Sequence, residues 1–122
     1  MKETGSAPAA LREELRQRLV EQRRALLRTL AMTDEEVATV DAQEPGGRGE
    51  GAAAETANAI LARLGGRERH ELDEVSDALS RLEAGSFGLC ERCGHAIPLA
   101  RLRAMPAARS CVDCQSREEK RR

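Results

Sequence analysis

From Ala9 to Met32 the chain reads AALREELRQRLVEQRRALLRTLAM, with Leu11, Leu15, Leu19, Leu26 and Leu30 at near-helical intervals and arginine and glutamate between them. That spacing, uninterrupted by glycine or proline, predicts one amphipathic helix. Thr33-Asp34-Glu35-Glu36 has the pattern of a capping box, which either begins a second helix or sits inside a continuous one. Val37 and Val40 prolong the apolar face in both cases. Residues 41–51, DAQEPGGRGEG, hold four glycines and a proline and predict a loop. From Ala52 to Ala84 the helical pattern returns. Ala54, Asn58, Leu61, Gly65, Glu68, Leu72, Val75, Leu79 and Leu82 alternate by threes and fours as a heptad seam, clean in its second half and interrupted around Gly65, Gly66 and Glu68. The glycine pair reads either as a tolerated defect or close approach, or as a bend.

These lengths match each other. Roughly 33 residues on each side of the loop make helices of about 50 Å, which predicts an antiparallel hairpin with the loop at its tip and both chain ends at its base. The expected architecture is mainly α: an antiparallel two-helix coiled-coil hairpin over residues 9–86, after a disordered lead-in at 1–8, then a small four-cysteine module and short C-terminal helix at 87–122. Arginines at Arg12, Arg16, Arg18, Arg23, Arg24 and Arg28 face acids at Glu71, Asp73, Glu74, Asp77 and Glu83, which favours the pairing.

All four cysteines fall in the C-terminal module, as Cys90-x-x-Cys93 and Cys111-x-x-Cys114. Two such pairs at this separation have the spacing of a zinc site. Facing each other, they form a tetrahedral sulfur cage for one structural zinc ion, with iron the chemically compatible alternative. Four protein ligands leave no open position for a reactive water, so the site stabilises structure. A disulfide framework needs an oxidising compartment, and MKETGSAPAALREEL offers no apolar stretch to serve as a signal peptide. A zinc-bound thiolate can still be oxidised, so a zinc-thiolate redox sensor is a further reading. His95 reads as a loop residue and His70 as a surface one.

Composition narrows the function classes. The single aromatic residue is Phe87, and much of the 40% hydrophobic content is alanine, which argues against a large globular core. The net charge of −1 conceals an asymmetry: residues 89–122 carry eight Arg and Lys against four Asp and Glu, leaving the remainder acidic. The basic end raises the reading of a DNA-binding zinc finger, but an acidic hairpin would be repelled by a duplex. No apolar run approaches the ~20 residues needed to cross a bilayer, so the expectation is a cytoplasmic protein with no membrane partner. Nor is there a nucleophile–base pair or a phosphate loop, so no enzyme is expected.

The segment Phe87-Gly88-x-Cys90-x-x-Cys93-Gly94-x-x-Ile97, then Arg101-Leu102-x-Ala104-x-Pro106, then Cys111-x-x-Cys114, resembles the signature of the DksA/TraR family of bacterial zinc-finger transcription regulators. The resemblance covers about a quarter of the chain and fixes non-ligand residues as well as cysteines. It implies a monomer that binds RNA polymerase directly rather than DNA. The hairpin would enter the secondary channel and modulate initiation, with guanosine tetraphosphate as the nucleotide partner at the polymerase interface. It also implies an acting tip. The family's Asp-x-x-Asp-x-Ala aligns with Gly47-Arg48-Gly49-Glu50-Gly51-Ala52, so Ala52 is kept, Glu50 stands for the second acid and Gly47 for the first. Asp41 and Glu44 are nearby acids at the same separation, and complete the candidate tip set.

Overall fold

The computed structural model describes residues 7–30, 32–43 and 51–120. Six helices follow in order: α1 Ala9–Thr29, α2 Asp34–Asp41, α3 Ala52–Leu61, α4 Gly66–Ala84, α5 Leu99–Ala104 and α6 Val112–Lys120. Among the described residues there is no strand, only an isolated antiparallel bridge between Leu89 and Ala96.

Helix α1 starts on Pro8, whose carbonyl accepts the Arg12 N–H at 2.9 Å. It buries Leu11, Leu15, Leu19, Arg23 and Leu27, a stripe spaced by four. The first three meet Val75, Leu79 and Leu82 of α4 in one apolar cluster. Arg16 reaches Glu83 at 3.3 Å, so the two helices run antiparallel. Helices α2 and α3 pair in the same sense: Glu36 and Arg63 form an ion pair, and Val37 and Val40 pack with Ala57 and Ile60.

The mainly helical hairpin is thus present, but its arms are not the continuous 50 Å rods expected. Thr33 starts a new helix rather than sitting inside one. Its Oγ1 accepts the Glu36 N–H at 3.1 Å, and the Glu36 carboxylate accepts the Thr33 N–H at 3.2 Å, closing a capping box. The second arm breaks where the heptad seam was interrupted, with Gly65 extended at ψ 166° as the N-cap of α4. The break resets the helical phase. Ala57 and Ile60 are buried in α3, whereas Asn58, assigned to the seam by counting back from α4, is exposed.

The chain also turns back on itself. Arg23 in α1 and Asp41 at the end of α2 lie 18 positions apart, a separation of about 27 Å along a straight helix, yet their side chains meet at 3.2 Å. Helix α2 therefore lies back along α1, and Leu27 joins Val37 and Val40 in a second apolar cluster. The hairpin is folded at mid-length, not extended.

Candidate metal centre

The finger is built on the end of α4. Gly85 takes φ 83° as the left-handed C-cap, and Ser86 N–H returns to the Arg81 carbonyl at 3.0 Å. Phe87 then enters the core at 1% exposure, joined by Ile97 and Leu102. All three share the cluster that contains Leu11, Leu15 and Leu19, so finger and hairpin base have one core.

Each CxxC pair sits on a local structure that turns its thiols inward. Cys90 N–H donates to the His95 carbonyl at 2.8 Å, and Gly94 N–H donates back to the Cys90 carbonyl at 2.9 Å. This tight reversal needs φ 79° at Gly94, in the left-handed region where a glycine is unstrained. The second pair uses a helix start instead: Gln115 N–H donates to the Cys111 carbonyl at 2.9 Å, and Cys114 lies in the opening turns of α6. Glu91 N–H to the Arg109 carbonyl, 2.9 Å, ties the two halves together.

The result is a cluster of four sulfurs, all within 4.8 Å of one another. Cys93 and Cys111 Sγ atoms are 3.9 Å apart. That is close to the ~3.8 Å edge of a tetrahedron with Zn–S bonds of about 2.3 Å, and far beyond the ~2.05 Å of a disulfide. All four cysteines are free thiols. The donor set therefore fits one zinc ion, and the four cysteines named from spacing alone are the four brought together. His95 is exposed and contributes no ligand atom to this cluster.

The thiols differ in acidity. Burial pushes Cys90 up, but backbone N–H groups of Cys93, Cys111 and Arg92 outweigh it and bring the thiol down to about 6. Cys114 is pushed up to about 12, by hydrogen bonding to Cys111 and by burial. Several thiolates packed this closely need a cation among them, and a zinc ion supplies that charge.

Basic side chains on the finger are largely engaged within the molecule. Arg92 meets Glu118 at 2.7 Å, Arg103 meets Glu14 at 3.3 Å and Arg109 meets Glu74 at 3.7 Å. Arg101 donates to the Ser110 carbonyl at 3.0 Å. Arg81 links α4 to the finger, donating to the Ala108 carbonyl at 3.4 Å and approaching Glu91 at 3.6 Å.

At the tip the picture is partial. Glu44 and Glu50 lie outside the described residues. Ala52 is the exposed first residue of α3. Asp41 closes α2 with its side chain 18% exposed, and its two oxygens engage Arg23 and Arg24. Arg23 was assigned to the charged flank by its residue type, but it occupies the buried stripe at 7% exposure. Burial pushes its pKa down while Asp41 pulls it back up. The regular interval Leu19–Arg23–Leu27 is the signal that could have placed it.

Residues 85–120 match the model of the prokaryotic dksA/traR C4-type zinc finger. A protein of Caulobacter vibrioides named RNA polymerase-binding transcription factor DksA is 43% identical over 70 residues, covering 57% of this chain and 49% of that protein. The Haemophilus influenzae protein of the same name is 38% identical over 53 residues, 43% of this chain and 37% of its own. The matched stretches thus span about half or less of these curated relatives. The structure of transcription factor DksA2 from Pseudomonas aeruginosa superposes with a TM-score of 0.60 at 29% identity, covering 93% of this chain and 86% of that one. A finger of this specific type, on a chain that superposes on DksA2 over 93% of its length, makes the assignment: the chain belongs to the DksA/TraR family.

Proposed function

We propose that the protein binds RNA polymerase and modulates transcription initiation, with its hairpin entering the secondary channel. The observation that carries this reading is the shared core. Phe87, Ile97 and Leu102 of the finger pack with Leu11, Leu15 and Leu19 of the hairpin. The α1–α4 pair is thereby anchored to a metal-stapled foot, which suits an arm held at a rim. The names of the relatives support the same partner.

In this reading Cys90, Cys93, Cys111 and Cys114 hold zinc and fix the foot. Bound there, the ion supplies cohesion and no open coordination position for chemistry. The tip, with Glu50 and Ala52, acts near the polymerase's catalytic centre, where a carboxylate influences a magnesium site through charge. Guanosine tetraphosphate at the polymerase interface belongs to the same proposal. Direct duplex binding has less support, because Arg92, Arg101, Arg103 and Arg109 each hold a partner within the fold that a phosphate would have to displace.

A pull-down against core RNA polymerase, with and without chelator, tests the reading. Retention that is lost on metal removal is expected. Failure of the zinc-loaded protein to bind, alongside a salt-sensitive affinity for DNA, would replace it with a DNA-binding finger. As a second check, Glu50→Ala is expected to weaken the transcriptional effect more than polymerase binding; equal losses would make the tip an anchor only.

A further inference from the structure

The two arms of the hairpin are interrupted within about one helical turn of each other. Arg16 meets Glu83 below the breaks and Glu36, in the first turn of α2, meets Arg63 within the second one, so one antiparallel register runs through both halves. On one arm α1 closes at its C-cap Leu30 and α2 opens at its N-cap Thr33. On the other the break falls at Ala62–Gly65, which in that register faces the first turn of α2, about one helical turn further along. Breaks this close on the two arms form a joint, because each half keeps its own helix pair when the angle between the halves changes.

In the structure this joint is closed. The distal pair, α2 and α3, lies back along α1 and is fastened at two kinds of contact. One is apolar, with Leu27 of α1 against Val37 and Val40. The other is polar. Arg23 donates to the Val40 carbonyl at 3.1 Å and to Asp41 at 3.2 Å, and Arg24 donates to the second Asp41 oxygen. Arg23 Nε is buried without a hydrogen-bond partner, so the fastening is incompletely satisfied. The α1–α4 and α2–α3 pairings do not depend on this contact.

We infer that the hairpin is a jointed arm whose distal half, latched to α1 by Arg23, Arg24 and Asp41, swings out to give the extended form that reaches a partner. The inference rests on the polymerase reading for the identity of that partner, but the joint itself does not. A folded arm is short and thick; only the extended arm is a probe able to enter a pore. Release of the latch thus regulates the proposed interaction. The glycine pair sets the balance at the second break. Gly65 sits at φ −69°, ψ 166°, a conformation open to any residue; a Cβ there would lie 2.6 Å from Glu68 Oε1, the end of a flexible side chain that must swing aside, and nothing lies within 4 Å of a Cβ placed on Gly66. Alanine at both positions therefore leaves the folded form nearly unstrained. It favours a helix that runs continuously from α3 into α4, since glycine is disfavoured in helix interiors by about tenfold or less per residue relative to alanine.

Small-angle X-ray scattering on the full zinc-loaded chain tests the joint, with core polymerase affinity measured on the same samples. Two variants act by unrelated routes: Asp41→Ala removes the latch, and Gly65→Ala/Gly66→Ala favours the continuous helix without removing a contact. Both should lengthen the maximum dimension by about 15 Å, the rise of a ten-residue helix, and bind polymerase at least severalfold more tightly than the parent. Circular dichroism identifies a variant that has lost helix, and the glycine pair then decides alone. Unchanged dimensions in the helical variants would overturn the joint. Extension with unaltered polymerase affinity would overturn its regulatory role. Extension with no polymerase binding by any form, parent included, would remove the polymerase reading and leave the joint standing.

Discussion

Arg23 and Asp41 show how much one buried pair can decide. A guanidinium at a core position, 7% exposed, needs its counter-ion, and breaking such a pair by removing one partner costs roughly 3 kcal/mol. Asp41→Ala should therefore lower stability by about 2–3 kcal/mol in urea melts. Arg23→Leu combined with Asp41→Leu should fall much nearer the parent, because a buried pair replaced by apolar groups is often neutral. A double variant as weak as Asp41→Ala would mean that the charges themselves hold the arm. At the metal centre, Cys111→Ser should abolish zinc binding and unfold residues 87–120. Structural zinc supplies on the order of 10 kcal/mol to small modules, more than Phe87, Ile97 and Leu102 can replace. Zinc content and near-neutral thiol titration check this; a folded finger without metal would refute it. The four ligands were legible from spacing because ligand geometry is local. Arg23 was not, because a charged residue type masks a position that only tertiary packing makes a core position.

At the scale of elements, the capping box explains why the first arm stops being one helix. Thr33 and Glu36 each satisfy a helix-start donor, so the chain gains from beginning again where a continuous helix would leave the box unused. Thr33→Ala should cost about 1 kcal/mol, with loss of amide protection confined to the start of α2. The Thr33 backbone N–H, then Arg63, holds the Glu36 carboxyl below its ordinary range. A carboxylate stabilised in this way contributes above its unfolded pKa and loses that contribution as pH falls through its lower folded value. Acidification below the ordinary carboxylate range should thus loosen the α2–α3 pair, and Glu36→Gln should flatten that part of the pH profile; identical acid profiles would remove Glu36 as the cause. Both breaks left a mark in the sequence, the capping box and the interrupted seam at Gly65, but each mark was equally compatible with the continuous helices that the lengths suggested. What they do together was not visible, because the fold-back depends on a contact between Arg23 and Asp41 that neither local pattern encodes.

Across the whole molecule, two apolar clusters divide the work. The first joins Leu11, Leu15, Leu19, Val75 and Leu79 to Phe87, Ile97 and Leu102, and reaches Cys90 and Cys114 of the zinc site. The second joins Leu27, Val37, Val40, Ala57, Ile60 and Leu72 at the folded end of the arm. Loss of zinc therefore should not spread evenly. When the sulfurs are released, Phe87 and Ile97 lose the turns that seat them, and the base of α1 loses its cover. Leu27 and Val40 keep theirs, because none of their packing partners belongs to the finger. Hydrogen exchange on the chelated full chain should show amides of α5, α6 and the first half of α1 opening early, while α2, α3 and the second half of α1 retain protection close to the zinc-loaded level. Direct clipping of the finger by a protease after chelation, with the arm left intact, would be the same division read another way. Simultaneous opening of both ends would mean that the clusters form one cooperative unit, and that the foot cannot be altered without disturbing the arm it carries.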